Sequence, residues 1–303
     1  MHKIAKFIFG GLAVVSLTSS AFGAAMKADA INSAEPSKKT LSSDQPSPAG
    51  VRLQVLLDRA RFSPGEIDGK FGENAKKALR AYAEARGLPS SDAPTADLWN
   101  ALRVDERPVV MNYTIVEKDV TGPFLSKLPF KMEDMKDIPK LGYTSAREGL
   151  AEKFHMSEQL LAMLNPGQRF ERADDTIVVV DTVGGDSERA VKADRVEVDK
   201  KRQTVMLFDK SNSMIAFYPA TVGSEEKPSP SGTLKVTEIS RNPTYRYNPD
   251  YRFKGVRSDK PSLSSPVLTI RRARSGSAFL PRVTGCTDRP LRKKCPRPRR
   301  MAA

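Results

Sequence analysis

The ten residues 63–72 hold three glycines and one proline, and they separate two stretches of helical periodicity. Glycine and proline at that density stop a helix and turn the chain. Before the loop, Val51, Leu53, Leu56 and Leu57 form an apolar stripe at helical spacing. After it, Glu73 opens a second stripe of Ala75, Ala78, Leu79 and Tyr82, and Gly87 is its expected stop. A third short helix carries Leu98, Trp99 and Leu102. Residues 50–104 are therefore predicted to form a small three-helix module.

The chain begins with Lys3 and Lys6, then an apolar run over residues 7–17, then Ala21 and Gly23. A basic start, an apolar run too short to span a bilayer and a small-residue exit site are the pattern of a secretory signal peptide. Residues 1–23 are read as that signal and 24–49 as a flexible linker rich in Ala, Ser, Lys and Pro. The expected location is the periplasm or cell envelope, with no membrane contact beyond the cleaved signal.

The formal charge of +14 invites a polyanion-binding reading. Its distribution argues against nucleic acid, because residues 266–303 hold eleven Lys and Arg against one acid, Asp288. Both cysteines, Cys286 and Cys295, lie in the same tail. The histidines are His2 and His155. The body thus offers no Cys–His pair and no multi-histidine metal site. No cofactor and no metal are expected, and the oligomeric state is left open.

The first module resembles the three-helix peptidoglycan-binding module of cell-wall enzymes. Leu53-Gln54, Gly65-Glu66-Ile67-Asp68-Gly69, Phe71-Gly72, Ala78, Gly87-Leu88 and Trp99 carry the resemblance. It implies peptidoglycan as partner and Asp68, Gly69, Phe71, Gly72, Tyr82 and Trp99 as the contacting residues. The plainer reading makes Asp68 a turn cap and Phe71 core, and the two readings are compatible.

Residues 105–181 read as strand–helix–helix–strand. Gly142-Tyr143-Thr144-Ser145 is the predicted first strand, Leu164-Asn165-Pro166-Gly167 a turn, and residues 177–180 the last strand. This order resembles a LysM unit, which binds glycan, although Arg147-Glu148-Gly149-Leu150 replaces the usual Gly-Asp-Thr-Leu. A structural linker domain is the alternative, with His155 a surface or half-buried residue.

From residue 194 the period changes to two. Arg195-Val196-Glu197-Val198-Asp199 and Thr204-Val205-Met206-Leu207-Phe208 are predicted strands joined by a charged turn, and another strand runs over residues 215–223. With Gln203, Val222-Gly223 and the Pro228-Ser229-Pro230-Ser231-Gly232 loop, this opening is similar to the L,D-transpeptidase (YkuD-type) catalytic domain. Asn242-Pro243-Thr244-Tyr245 and Tyr251-Arg252-Phe253 also suit that family.

The resemblance implies a cysteine thiolate that attacks a stem-peptide amide, a histidine base and a backbone oxyanion site. The family motif is a His-Gly strand followed by Ser-His-Gly-Cys. No histidine follows His155, so no catalytic residue is assigned. The neighbouring reading frame does permit the motif. Cys286 and Thr287 can give only Tyr or His at the His-Gly site, and Met301 with Ala302 fixes the glycine of Ser-His-Gly-Cys. A frameshift near Lys260 and Pro261 is the expected cause.

The predicted fold class is α+β multidomain. It comprises the helical module, the LysM-like segment, an incomplete, mostly-β L,D-transpeptidase-like domain at 194–261 that folds poorly, and a disordered out-of-frame tail at 262–303. Four functional readings are open: a catalytically inactive peptidoglycan-associated protein of L,D-transpeptidase descent, an active L,D-transpeptidase, purely a peptidoglycan-binding protein, and, more remotely, polyanion binding through the tail.

Overall fold

The computed structural model describes residues 26–37, 39–126, 142–183, 192–223 and 229–236, and the backbone alone of Thr244–Tyr247 and Ser262–Pro266. The signal-like segment, both cysteines, Asn242, Pro243 and residues 251–253 lie outside the described residues.

Three helices form where the apolar stripes predict them. Helix α2 (Pro48–Arg59) starts with Pro48 in its first turn, and the Ser47 hydroxyl accepts from Gly50 N at 3.0 Å. Helix α3 (Glu73–Ala85) ends at Gly87, whose φ of +65° lets Leu88 N return to Ala83 O at 2.9 Å. Helix α4 (Ala96–Leu102) is capped by Thr95 and buries Leu98, Trp99 and Leu102.

The glycine-rich loop is pinned from below by one side chain. Gln54, fully buried on α2, accepts from Gly69 N at 2.7 Å and Asp68 N at 3.2 Å. Its amide donates to Asp68 Oδ1 at 2.9 Å and to Lys70 O at 3.0 Å. The loop lies so close to α2 that a Cβ on Gly50 would sit 2.0 Å from Gly69 O. Gln54→Ala leaves two backbone amides and a carbonyl unpaired. An unsatisfied buried group costs about 1–3 kcal/mol, so a loss of about 3 kcal/mol is expected in urea unfolding.

The linker expected over residues 24–49 is corrected for its described part. Residues 28–32 form helix α1 (Ala28–Asn32), and Ile31 is fully buried. Asn32 Oδ1 accepts from Val109 N at 2.8 Å and Val110 N at 3.3 Å, and Ala34 O accepts from Arg52 at 2.8 Å. Further on, Phe71 N donates to Ser42 O at 2.7 Å. The segment is docked by isolated contacts, which produce no periodic pattern.

Residues 105–181, expected as strand–helix–helix–strand, have a displaced first strand and three helices between their two strands. Strand β1 (Val110–Thr114) pairs antiparallel with β2 (Thr176–Val180), Val110 opposite Val180 and Thr114 opposite Thr176. Between them lie α5 (Glu117–Val120), α6 (Ala146–Lys153) and α7 (Glu158–Leu164). The dipeptide Tyr-Thr occurs twice. Tyr113-Thr114 continues into Ile115 and Val116 and extends the strand, whereas Tyr143-Thr144 runs into a helix start. There Ser145 caps Glu148 N at 3.1 Å, and the Glu148 carboxylate turns back to Thr144 N and Oγ1 at 2.7 and 2.6 Å. Asn165 then staples α7 to β2, exchanging bonds with Val178 N at 2.7 Å and Val178 O at 2.8 Å.

Strands β3 (Arg195–Asp199), β4 (Thr204–Phe208) and β5 (Met214–Pro219) form an antiparallel sheet in chain order. Poor folding was expected over residues 194–261; in the structure these three strands form a sheet that rests on the helical module. Phe217 and Met214 are buried in a core shared with α2 and α3, and Met206 and Phe208 pack against it. Phe62 and Tyr82 meet edge to face at 5.3 Å in that core. Ser63 N donates to Phe217 O, and Phe217 N donates to Arg61 O, both at 2.9 Å. Lys77 on α3 caps the β3–β4 turn by donating to Arg202 O at 2.9 Å.

Strand β3 is an edge of this sheet, and its Val196 and Val198 are 46% and 52% exposed. Strands β6 (Thr244–Tyr247) and β7 (Ser262–Pro266) pair antiparallel. Strand β7 lies beyond Lys260, so residues 262–266 are not the unstructured start of the tail that composition suggested. Charge and proline content concentrate further on, and β7 precedes the cluster of arginines.

Candidate functional site

The residues singled out for peptidoglycan contact turn out to organise the loop and its core. Asp68 Oδ1 accepts from Gln54 and, at 2.9 Å, from Lys70 N. Gly69 occupies φ +78° and its carbonyl accepts from Ser47 N at 3.0 Å. Gly72 is the N-cap of α3. Phe71, Tyr82 and Trp99 are buried, so their ring faces are not available to a ligand. Trp99 Nε1 donates to Glu35, and the Arg52 guanidinium lies 5.1 Å from its ring centre. Apolar residues at helical spacing are core first, and that signal was present in the stripe itself.

The segment expected to hold the enzyme's chemistry supplies strands and a loop. Lys200, in the β3–β4 turn, donates to Ser229 O at 3.0 Å and to the Ser231 hydroxyl, which ties the Pro-Ser-Pro-Ser-Gly loop to the sheet. The described residues include no cysteine and one histidine, and no group among them could hold a metal ion.

That histidine is His155, which follows α6 at φ +56°. Its Nδ1 is 2.9 Å from Asp58 Oδ2 on α2. The hydrogen bond to Asp58 raises the imidazole above its ordinary range, against the opposing effect of burial. Sequence reading made His155 a surface or half-buried residue. Its side chain is 56% exposed, yet it is paired across two segments. On the far side of Asp58, burial pushes the Tyr218 phenol up, Asp58 adds to that, and Arg61 opposes it.

A residue that sequence reasoning missed is Arg59. It is 2% exposed, and its guanidinium makes five hydrogen bonds. They run to Asp181 O at 2.8 Å, Asp181 Oδ2 at 3.0 Å, Asp105 Oδ2 at 3.2 Å, Arg107 O at 3.3 Å and Pro108 O at 2.7 Å. The hydrogen bond from Arg107, with Arg59 beside it, holds the Asp105 carboxyl below its usual range despite partial burial. A second cluster joins Lys153 to Tyr113 OH at 2.6 Å and to Asp119 at 2.9 Å. Both clusters are braces between elements.

Residues 193–279 match the family model of the L,D-transpeptidase catalytic domain, YkuD. This stretch contains β3, β4, β5 and their loop, so the YkuD-type assignment holds for the segment that carried the resemblance. No curated protein matches the chain. The matched stretch starts one residue before 194 and ends at 279, nineteen residues past Lys260 (279 − 260) and short of both cysteines. No described helix is long and apolar enough to cross a membrane.

Proposed function

We propose that the chain is an exported, peptidoglycan-associated protein of L,D-transpeptidase descent that does not carry out the family's acyl transfer. One observation supports this reading above the others. A YkuD match lies on a chain with no histidine after His155 and no Ser-His-Gly-Cys sequence. Transfer at a stem-peptide amide needs a thiolate, a base that takes its proton and donors for the oxyanion. The matched stretch contains neither cysteine nor histidine. The neighbouring frame permits both His-Gly and Ser-His-Gly-Cys, and we place the frame break near Lys260 and Pro261.

Retention on peptidoglycan tests the associated half of the proposal. The intact chain should cosediment with isolated sacculi and be displaced by soluble muropeptides. Deleting residues 50–104 is a poor control, since that module shares its core with β5. Lys70→Glu, at the rim of the glycine-rich loop, is the better variant. It should weaken cosedimentation several-fold with thermal stability unchanged; equal retention of wild type and variant would move the contact surface elsewhere.

A further inference from the structure

Residues 58–67 are where the parts of the fold meet. On one side Phe217 of β5 bonds to the backbone of Arg61 and Ser63. On the other, Ile67 N donates to His155 O at 2.8 Å and Ser157 N to Ile67 O at 2.9 Å. Beside this backbone ladder stands the contact between His155 Nδ1 and Asp58 Oδ2. The groups facing it are Asp58 from α2, Glu152 from α6 and, beyond Asp58, Arg61 and Tyr218. Tyr218 keeps its proton through the neutral range because burial pushes it upward. His155 is therefore the group at this junction that changes charge near neutrality.

We propose that His155 and Asp58 form a pH-dependent latch that fastens the α6–α7 segment to the C-terminal end of α2, beside the backbone bonds that join it to the glycine-rich loop, closed with a protonated imidazole and loosened without one. Protonated, the pair is a charge-assisted hydrogen bond between two segments. Neutral, it is a single weaker bond with Asp58 left facing Tyr218 and Arg61. The direction of the effect follows from linkage. His155 is raised in the folded chain, so the latch contributes in full below the unfolded value of about 6.5. Its contribution is lost as pH rises through the higher folded value. An exported protein meets the pH of its surroundings, and the α6–α7 segment would be held most firmly in mildly acidic conditions.

Amide hydrogen exchange on the full chain tests this, with rates corrected for intrinsic base catalysis. The reporters are the amides of Ile67 and Ser157, and Val51, bonded to Ser47 O at 3.0 Å, is the control. Between pH 6 and pH 8.5 the protection of both reporters should fall about two- to fivefold, the span of a partly exposed ion pair. Val51 should hold steady. His155→Gln should flatten the profile, and Asp58→Asn should lower the imidazole midpoint seen by NMR. Constant protection of Ile67 and Ser157 across the range would overturn the latch. So would an equal fall at Val51, or an imidazole midpoint indifferent to Asp58→Asn.

Discussion

Arg59→Ala should destabilise the chain by about 3–5 kcal/mol, the cost of removing one partner from a buried ion network. The side chain reaches from α2 to Asp105 and Asp181, at the two ends of the segment that holds β1 and β2. Its loss removes the Arg59 bonds to two carboxylates, each 19% exposed, and to three backbone carbonyls, leaving Asp105 to Arg107 and Asp181 to Val183 N. Arg59→Lys should recover only part of the loss, because three donors on a point charge cannot meet five acceptors in fixed directions. Arg59→Met tests the network differently, since it fills the volume without the charge. Equilibrium urea unfolding separates the three. An Arg59→Ala chain within about 1 kcal/mol of wild type, the range of an exposed pair, would mean that the network is incidental.

The second large effect concerns chemistry. Restoring one base near codons 260 and 261 should give a chain with transpeptidase activity. The shifted frame permits His-Gly and Ser-His-Gly-Cys in family order, which would supply nucleophile and base together. Cross-linking of tetrapeptide stems, read by mass spectrometry, should rise from no product to ordinary turnover. Changing the restored motif's cysteine to alanine should abolish it. A frame-restored protein that folds and forms no cross-link would contradict the assignment of the lost motif.

The structure also shows which features were legible in the sequence. Helices α2 to α4 were, because each carries an apolar stripe at helical spacing, and α3 also ends at the predicted Gly87 stop. Strands β3 and β4 were, because alternation and the charged turn fix their register. Strand β1 was not, since Tyr113-Thr114 and Tyr143-Thr144 look alike until the Ser145–Glu148 cap is weighed. The docking of residues 26–47 was not, because Ile31 and Asn32 act singly. Arg59 left one faint signal, a charge three residues beyond Leu56 on an apolar stripe.

The candidate site was less legible than the fold. Trp99, Tyr82 and Phe71 stood out as aromatic residues in a binding-module pattern, and the same residues fill the core. The pattern records how the loop folds, and Gln54 is its centre. His155 was visible as a lone histidine, but its partner Asp58 is 97 residues away in the chain. Only tertiary structure brings them together. The absence of a Ser-His-Gly-Cys sequence was readable without any structure, from the count of histidines and the positions of the cysteines.

One measurement bears most directly on the account: the full chain incubated with tetrapeptide-bearing muropeptides, alone and as the Cys286→Ala/Cys295→Ala double variant. The account predicts no cross-linked or trimmed product from either protein. Product from the unmodified chain would contradict it, and product that vanished in the double variant would locate a nucleophile in the tail that this reading leaves without a base.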